Sequence, residues 1–363
     1  MSKLNNMADN QSKSLIIPVF VMNSGCPHRC IFCNQKITAG NFPQRITEDF
    51  LVSEVNSYLK SQKRRAAEVE IAFYGGSFTA IADDYQEKLL FWAHSFIKKG
   101  LVNSLRISTR PDCINVDSLL LLKKYGVATV EIGAQSFIDE VLYFAHRGHC
   151  AADTGDAIKL LKQAGFKTGI HLMAGLPKDT REGFLFSVDK TIELKPDTVR
   201  IHPVVVLRET ALAKEYEKTN YIPLSLEEAV DYCTQARVRL SAAGIRVIRT
   251  GLHITQEMKE ENSVLAGPVH PAFGALVRSS IFYHQITRQL ASLCNKAAEI
   301  TFNVAPDDIS DFRGLKNSNV KAIKKLYPDA CIMIKSKPEQ KRGIISVAVD
   351  GKFFGPAEIP GIG

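Results

Sequence analysis

Three cysteines fall within eight residues of one another near the start of the sequence. Cys26, Cys30 and Cys33 have the spacing C-x3-C-x2-C, and they follow a short apolar run that predicts a buried β-strand. Thiolates bind soft metals and iron–sulfur clusters, and parallel-sheet enzymes build their sites in loops at the carboxyl ends of strands. The spacing therefore predicts a metal or cluster site in this loop.

Two kinds of metal site are compatible with three clustered thiols. A structural zinc ion needs four closed ligands, and His28, the nearby candidate for the fourth, is cramped on the same short loop as Cys26. Three thiolates can instead hold three corners of a four-iron, four-sulfur cluster and leave the fourth iron open to a substrate or cofactor. We favour the cluster. The remaining cysteines have no ligand spacing, and we interpret them as ordinary buried thiols: Cys113, Cys150, Cys233, Cys294 and Cys331.

Alternating sequence patterns predict the elements that position this loop. Short β-rich runs at residues 16–22, 69–74, 105–109, 129–135, 168–173 and 199–206 alternate with helical periodicity. Such βα units predict an α/β fold with helices outside a parallel sheet. Polar residues share the inward face of several runs, which favours a partial, TIM-like (β/α)6 barrel over a filled eight-stranded barrel. A doubly wound open sheet is the alternative.

Composition predicts four segments. We expect a disordered tail at residues 1–14, the partial barrel at 15–255, a helical extension at 256–299 and a small basic α/β domain at 300–363. The apolar run after the tail is far shorter than the ~20 residues that span a bilayer, and no secretory signal is evident. We expect a cytoplasmic protein with no membrane partner. The net charge of +8 permits an anionic partner such as RNA.

The cysteine spacing and its position after the first strand resemble the radical S-adenosylmethionine (SAM) superfamily. In that family three cysteines hold the cluster, and the amino and carboxylate groups of SAM bind its open iron. The resemblance implies two cofactors, a 4Fe-4S cluster and SAM, and cleavage of SAM to a 5′-deoxyadenosyl radical. It also implies a reducing electron donor such as flavodoxin or ferredoxin. Phe32 matches the aromatic residue that often flanks adenine in this family.

Motifs at other strand ends extend the resemblance. Gly75 and Gly76 match the glycine pair that holds the methionine amino group, and Ser77 replaces the usual glutamate. Glu131 and Gln135 belong to an E-x-G-x-Q-S pattern, in which the resemblance implies that the glutamate binds the SAM ribose; a salt bridge is the alternative for Glu131.

Arg110, after the third predicted strand, is a further candidate for the cofactor site. It would bind a carboxylate or set the charge of the lumen. A structural ion pair is the alternative interpretation of this arginine.

Over roughly residues 15–250 the chain is similar to the radical domain of the Elongator catalytic subunit and its shorter bacterial relatives. Segments at several strand ends carry this similarity: 131–136, 147–149, 164–167, 171–177, 196–197 and 201–203. Arg200 and His202 stand where Elongator usually has Lys and Tyr, and we expect them, with His171, to face the substrate. About 110 residues follow residue 250, without clustered cysteines or a recognisable acetyl-CoA loop, so Elongator's own activity is not implied.

The basic segment near the carboxyl end resembles the helix–loop–helix of a KH module, whose G-x-x-G loop grips a nucleic-acid backbone. Here the loop is residues 314–317, with Asn317 in place of the second glycine, a residue that tolerates left-handed backbone. The candidate RNA phosphate contacts are Lys316, Lys321, Lys324 and Lys325. A solvated basic helix is the alternative.

Together these features predict a radical SAM enzyme that modifies RNA, with tRNA as the expected partner. One alternative is a radical SAM oxidoreductase acting on a small molecule, as in coproporphyrinogen oxidase-like proteins. Another is a non-catalytic RNA-binding protein with a structural metal site.

Overall fold

The computed structural model describes residues 14–22, 25–39, 42–43, 45–61, 68–252, 262–293 and 296–362. The strands are β1 (Ser14–Phe20), β2 (Glu68–Tyr74), β3 (Ser104–Thr109), β4 (Val127–Gln135), β5 (Lys167–Ala174), β6 (Thr198–Pro203), β7 (Val206–Leu207), β8 (Arg246–Thr250), β9 (Val264–Ala266), β10 (Glu299–Val304), β11 (Cys331–Ser336), β12 (Ile344–Val349) and β13 (Lys352–Glu358). The helices are α1 (Gln35–Ala39), α2 (Glu48–Ser61), α3 (Asp83–Lys98), α4 (Val116–Lys124), α5 (Asp139–Phe144), α6 (Ala151–Gln163), α7 (Arg181–Leu194), α8 (Ala211–Glu217), α9 (Leu226–Ala242), α10 (Phe273–Leu293), α11 (Ile309–Arg313) and α12 (Ser318–Leu326).

The main sheet has seven strands in the order β1-β2-β3-β4-β5-β6-β8. The pairs β1–β2, β2–β3, β3–β4 and β6–β8 are parallel. Strands that follow one another in both sequence and space require crossovers, and helices supply them here, which confirms the predicted α/β fold. The apolar runs became strands because they are buried: Ile71 and Ile107, for example, are fully inaccessible to solvent.

The sixth predicted strand differs from the prediction. The run 199–206 does not form one strand, because β6 ends at Pro203, whose ring removes a backbone donor from the ladder. Val206–Leu207 instead pairs antiparallel with Val264–Ala266. The short run near residue 246 forms β8, which pairs with β6 and gives the sheet a seventh strand beyond the six predicted units.

The chain divides into two compact units. The first consists of the described residues in the ranges 1–134 and 146–169, and it contains β1 to β3, most of β4 and the cysteine loop. The second consists of those in the ranges 135–145 and 170–363. The sequence-based boundaries at 255 and 299 remain predictions. Residues 1–13 of the predicted disordered tail (1–14) lie outside the described residues, and Ser14 begins β1. Residues 253–261, around the predicted boundary at 255, also lie outside them.

A four-stranded sheet in the order β11-β10-β12-β13 forms the carboxyl-terminal part of the second unit. Phe302 of β10 contacts Phe312 of α11, which in turn contacts Phe282 of α10, so these helices cover one face of the sheet. The predicted helix–loop–helix is present as α11 and α12, and Lys316 and Asn317 both have left-handed backbone. Strand β13 was not predicted, because glycine and proline interrupt its apolar pattern. In the described part of the chain no helix is long and apolar enough to cross a membrane.

Candidate cluster and cofactor site

The cysteine loop is fixed against the turn that follows β2. Gly25 has φ +72°, and a β-carbon there would lie 2.3 Å from the Ser77 carbonyl oxygen, so only glycine allows this close approach. At the same place the Cys26 thiol donates to the Ser77 hydroxyl (3.8 Å) and accepts from the Gln35 side-chain amide (3.7 Å). The turn after β2 and the first residue of α1 therefore position the first cysteine.

Arg147 fixes the second cysteine from the opposite side of the loop. Its Nη1 donates to Cys30 Sγ over 3.0 Å, and its Nη2 donates to the Gly133 carbonyl oxygen of β4. The arginine is only 6% exposed. It appeared in the sequence only within the Arg-Gly-His segment of the Elongator similarity, and it was not assigned to the site.

The sulfurs of Cys26 and Cys30 are close enough to Cys33 to affect its ionisation. Although the Cys33 residue is partly exposed, protein groups surround its sulfur, and this desolvation, followed by Cys30 and Cys26, raises the pKa of the Cys33 thiol to about 12. Arg147 acts in the opposite direction. Iron or zinc must therefore displace protons to bind here.

Among the described residues, no group of three or more His, Cys, Asp or Glu side chains converges on one point as a single metal ion requires. The thiolates of a cluster bind different irons and need not share one point. The site offers three thiols on a loop that Gly25 and Arg147 hold in place. This donor set fits a cluster better than a tetrahedral zinc site, which needs four ligands.

The interpretation of the scattered cysteines as buried thiols is wrong for most of those described. Cys233 is buried, whereas Cys150 and Cys331 are exposed and Cys113 is half-buried. Cys294 lies outside the described residues. The two exposed thiols lie at the ends of regular elements, since Cys150 precedes α6 and Cys331 begins β11. The sequence gives no burial signal at such positions.

The residues predicted for the methionine and adenine of SAM lie beside this loop in sequence or space. Gly75 and Gly76 directly follow β2, and Ser77 is 1% exposed. Phe32 lies half-buried between two of the cysteines. Their contacts with a cofactor remain predictions.

Glu131 belongs to a buried network of three charges. Arg106 Nη1 donates to Glu131 Oε1, and Arg106 Nη2 donates to Glu70 Oε2, both over 2.6 Å. Burial alone would lower the pKa of Arg106, but the Glu131 and Glu70 carboxylates outweigh burial and raise it, so the guanidinium stays charged. Glu131 is thus an ion-pair partner, the alternative raised from the sequence, and its role at the ribose remains a prediction. Sequence analysis missed Arg106 and Glu70.

Arg110 forms the ion pair that was its alternative interpretation. Its Nε and Nη2 donate to the two carboxylate oxygens of Asp112 over 2.9 and 3.0 Å. Its Nη1 is buried without a hydrogen-bond partner among the described residues. Because buried donors are normally satisfied, this atom marks a place where an acceptor could bind.

His149 lies beside the same carboxylate. Its Nδ1 is 4.0 Å from Asp112 Oδ1, and its side chain is fully buried. Burial lowers the pKa of His149 to about 4, and the charges of Arg147 and Arg110 contribute to this decrease. The imidazole is therefore neutral near pH 7.

The predicted substrate-facing residues form a basic row in the second unit. The His171 and His202 rings are in edge-to-face contact, with centroids 4.4 Å apart. Arg200 is the cross-strand partner of Arg249 in the β6–β8 pair, so both point to the same face. Burial lowers the pKa of His202, and His171, Arg249 and Arg200 lower it further. Gln135, 7% exposed, ends β4 with left-handed backbone.

The candidate RNA-contacting lysines differ in their surroundings. Lys316, Lys321 and Lys325 are exposed on or beside α12. The Lys324 ammonium instead donates to the Ala330 carbonyl oxygen over 2.5 Å. Lys324 therefore has a structural partner, and RNA contact by all four lysines remains a prediction.

The fold and the site together define a parallel α/β enzyme with three thiols on the loop after its first strand. Residues 20–190 match the sequence model of the Radical SAM superfamily, and residues 196–282 match that of the Radical SAM C-terminal domain. The chain belongs to the radical SAM superfamily and is a radical SAM enzyme.

Relatives of known name place the chain near Elongator-type proteins. It is 28% identical over 260 residues to the tRNA uridine(34) acetyltransferase of Methanocaldococcus jannaschii, a match that covers 61% of this chain and 48% of the relative. It is 27% identical over 196 residues to Elongator complex protein 3 of Danio rerio, covering 48% of this chain and 35% of that protein. The chain thus spans half or less of the length of these relatives.

A solved structure of the archaeal Methanocaldococcus infernus Elp3 with an N-terminal deletion has the same fold. It superposes with a TM-score of 0.57 at 18% identity, covering 95% of this chain and 77% of the archaeal chain. The predicted partial-barrel α/β architecture with a small carboxyl-terminal sheet is confirmed.

Proposed function

We propose that this enzyme holds a 4Fe-4S cluster on Cys26, Cys30 and Cys33 and uses SAM to modify RNA, with tRNA as the substrate class. When bound, the cluster supplies the electron that cleaves SAM to a 5′-deoxyadenosyl radical. The observation that carries the proposal is the cysteine loop itself, pinned by Gly25 on one side and Arg147 on the other. Fixed thiols can assemble a cluster without first ordering the loop.

The residues around the loop can hold the polar groups of SAM. Gly75 and Gly76 would bind the methionine amino group through their backbone carbonyls. Arg110 would give its unsatisfied Nη1 to the methionine carboxylate while Asp112 keeps its guanidinium plane fixed. Glu131 would accept from the ribose hydroxyls, and the ion pair with Arg106 would orient its carboxylate. Gln135 belongs to the second unit, and its predicted cofactor contact stays a prediction.

The basic row supports an anionic substrate. His171, His202, Arg200 and Arg249 are all half-buried, and the two arginines give the row its positive charge. A nucleotide phosphate is the anion that an RNA substrate would bring to such a row. The exposed lysines on and beside α12 would add phosphate contacts away from the row.

Enzyme chemistry is tested by anaerobic reconstitution with iron and sulfide, reduction, and measurement of 5′-deoxyadenosine formed from SAM. We expect the nucleoside from the wild-type chain and none from Cys30→Ala. A cluster-loaded sample that forms no 5′-deoxyadenosine would contradict the proposed chemistry. The RNA substrate is tested by mass spectrometry of tRNA nucleosides from a deletion strain, in which one modified nucleoside should disappear. Unchanged nucleosides would favour a small anionic substrate instead.

RNA binding is tested by tRNA retention at increasing salt. Replacing Lys316, Lys321 and Lys325 together by alanine should weaken binding and lower the salt dependence, by about 2 in the slope of log K against log salt. The control replaces the exposed helix residues Lys88, Lys98 and Lys159 by alanine and should change neither quantity. Equal behaviour of the two triple variants would exclude the carboxyl-terminal lysines as the RNA contact.

A further inference from the structure

The guanidinium of Arg147 directly contacts a sulfur of the candidate cluster site. The guanidinium is held at two points, by Cys30 Sγ at 3.0 Å and by the Gly133 carbonyl oxygen of β4. It cannot turn away from the sulfur without losing the bond to the strand. The charge therefore stays at a fixed distance from one cluster ligand.

The positive charge of Arg147 lies in a buried environment beside the Cys30 sulfur. At 6% exposure the guanidinium is poorly screened by water, and an arginine does not lose its proton at any ordinary pH. A thiolate at Cys30, the form that binds iron, would match the positive charge of Arg147.

Reduction of the cluster adds one electron and changes no bond or proton. The oxidised core, [4Fe–4S]2+, takes that electron from a low-potential donor and becomes [4Fe–4S]+. A nearby cation and a hydrogen bond to a ligand sulfur stabilise the more negative, reduced state more than the oxidised state. Hydrogen bonds to cluster sulfurs are a known determinant of reduction potential in iron–sulfur proteins.

We infer that Arg147 is a positioning residue that raises the reduction potential of the cluster by donating to the Cys30 sulfur. This inference rests on the proposed function, since it requires a cluster on the three cysteines. It assigns a role to a residue 117 positions away from its sulfur partner in the sequence.

Two other roles could explain the contact between Arg147 and Cys30. Arg147 could only brace the loop against β4, in which case its loss would reduce the amount of cluster and leave the properties of the loaded fraction unchanged. It could also contact the carboxylate of SAM, in which case its loss would weaken SAM binding and leave the potential of the SAM-free cluster unchanged.

The test is a mediated redox titration of the SAM-free, reconstituted full chain, followed by the EPR signal of the reduced cluster. Iron and sulfide per chain are measured on the same samples. Wild type is compared with Arg147→Lys, which keeps the charge and a donor, and with Arg147→Gln and Arg147→Ala, which remove the charge. The potential is read only from the cluster-loaded fraction, so partial loading does not bias it.

We expect the reduced-to-oxidised ratio at a fixed solution potential to fall at least tenfold in Arg147→Gln and Arg147→Ala, a shift of about 59 mV to more negative potential. Arg147→Lys should lie between these variants and wild type. Equal potentials in all four proteins would overturn the inference, whether loading or SAM affinity changes or not. A wild-type chain that takes up no cluster would refute the proposed function and this inference with it.

Discussion

The imidazole ring of His28 lies so close to Gly148 that a β-carbon at position 148 would be 2.3 Å from it. This contact joins the cysteine loop to the segment that follows α5. Arg147 is the neighbour of Gly148 in the sequence, and Cys30 lies on the same loop as His28. A shift of the backbone at Gly148 would therefore disturb the contact between Arg147 and the Cys30 sulfur.

Gly148→Ala should therefore disturb the cysteine loop. The matched control is Gly165→Ala, because Gly165 has a similar positive φ (+78° against +66°) but no neighbouring atom within 4 Å of its added β-carbon. Both variants should lose about 1 kcal/mol of stability from the backbone conformation. Only Gly148→Ala should lower iron and sulfide content after reconstitution. Equal iron content in the two variants would show that the His28 contact does not support the loop.

Cys30→Ala should abolish cluster loading, because two thiolates cannot hold a cluster that three thiolates share. Cys331→Ala is the control, since this exposed thiol lies on a strand of the carboxyl-terminal sheet. Iron, sulfide and the visible absorption of the reconstituted proteins measure the difference. Retention of a full cluster by Cys30→Ala would remove this cysteine from the ligand set.

Arg106→Ala should destabilise the first unit by about 3–5 kcal/mol, because it leaves the buried Glu70 and Glu131 carboxylates without their shared cation. The control Lys159→Ala breaks an exposed ion pair with Asp156 and should change stability by less than about 1 kcal/mol. Urea unfolding followed by circular dichroism measures both. Similar small losses in the two variants would mean that the buried carboxylates find other partners.

Asp179 should make stability depend on pH. One of its carboxylate oxygens is buried without a hydrogen-bond partner in the described part of the chain, and burial raises the pKa of Asp179 from its ordinary 3.8 to about 7. Between these two values the folded state keeps a proton that the unfolded state has lost, so stability falls as pH rises.

Asp179→Asn removes that proton equilibrium. We compare the melting temperature of the variant with that of wild type at pH 8 and at pH 4.5. The variant's melting temperature minus that of wild type should be larger at pH 8. A difference that does not change with pH would place the pKa of Asp179 near its ordinary value.

The strands and the cysteine loop could be predicted from sequence because each depends on neighbouring residues. Apolar runs such as residues 69–74 predict buried strands, and three thiols on one loop predict a site, whatever the rest of the chain does. The Elongator-type motifs added the candidate cofactor residues, whose contacts with SAM stay predictions. Local pattern failed where glycine or proline interrupts a strand, as in Lys352–Glu358 and at Pro203.

Contacts between distant residues could not be predicted in the same way. The choice of Glu131 and Glu70 as the partners of Arg106 depends on the register of three strands. Arg147 reaches Cys30 only because the chain returns to the cysteine loop after β4. Such pairings depend on three-dimensional packing, which one sequence does not encode as a local pattern.

In the proposed enzyme, three thiolates hold a cluster whose remaining iron is open to SAM. The most direct test is the EPR spectrum of the reduced, reconstituted chain recorded with and without SAM. We predict a four-iron cluster signal that changes shape when SAM is added, because the amino and carboxylate groups of SAM bind the open iron. A signal that SAM leaves unchanged would show that no iron of the cluster is open to SAM. A chain that binds zinc through a fourth protein ligand and takes up no cluster would rule out the three-cysteine cluster itself.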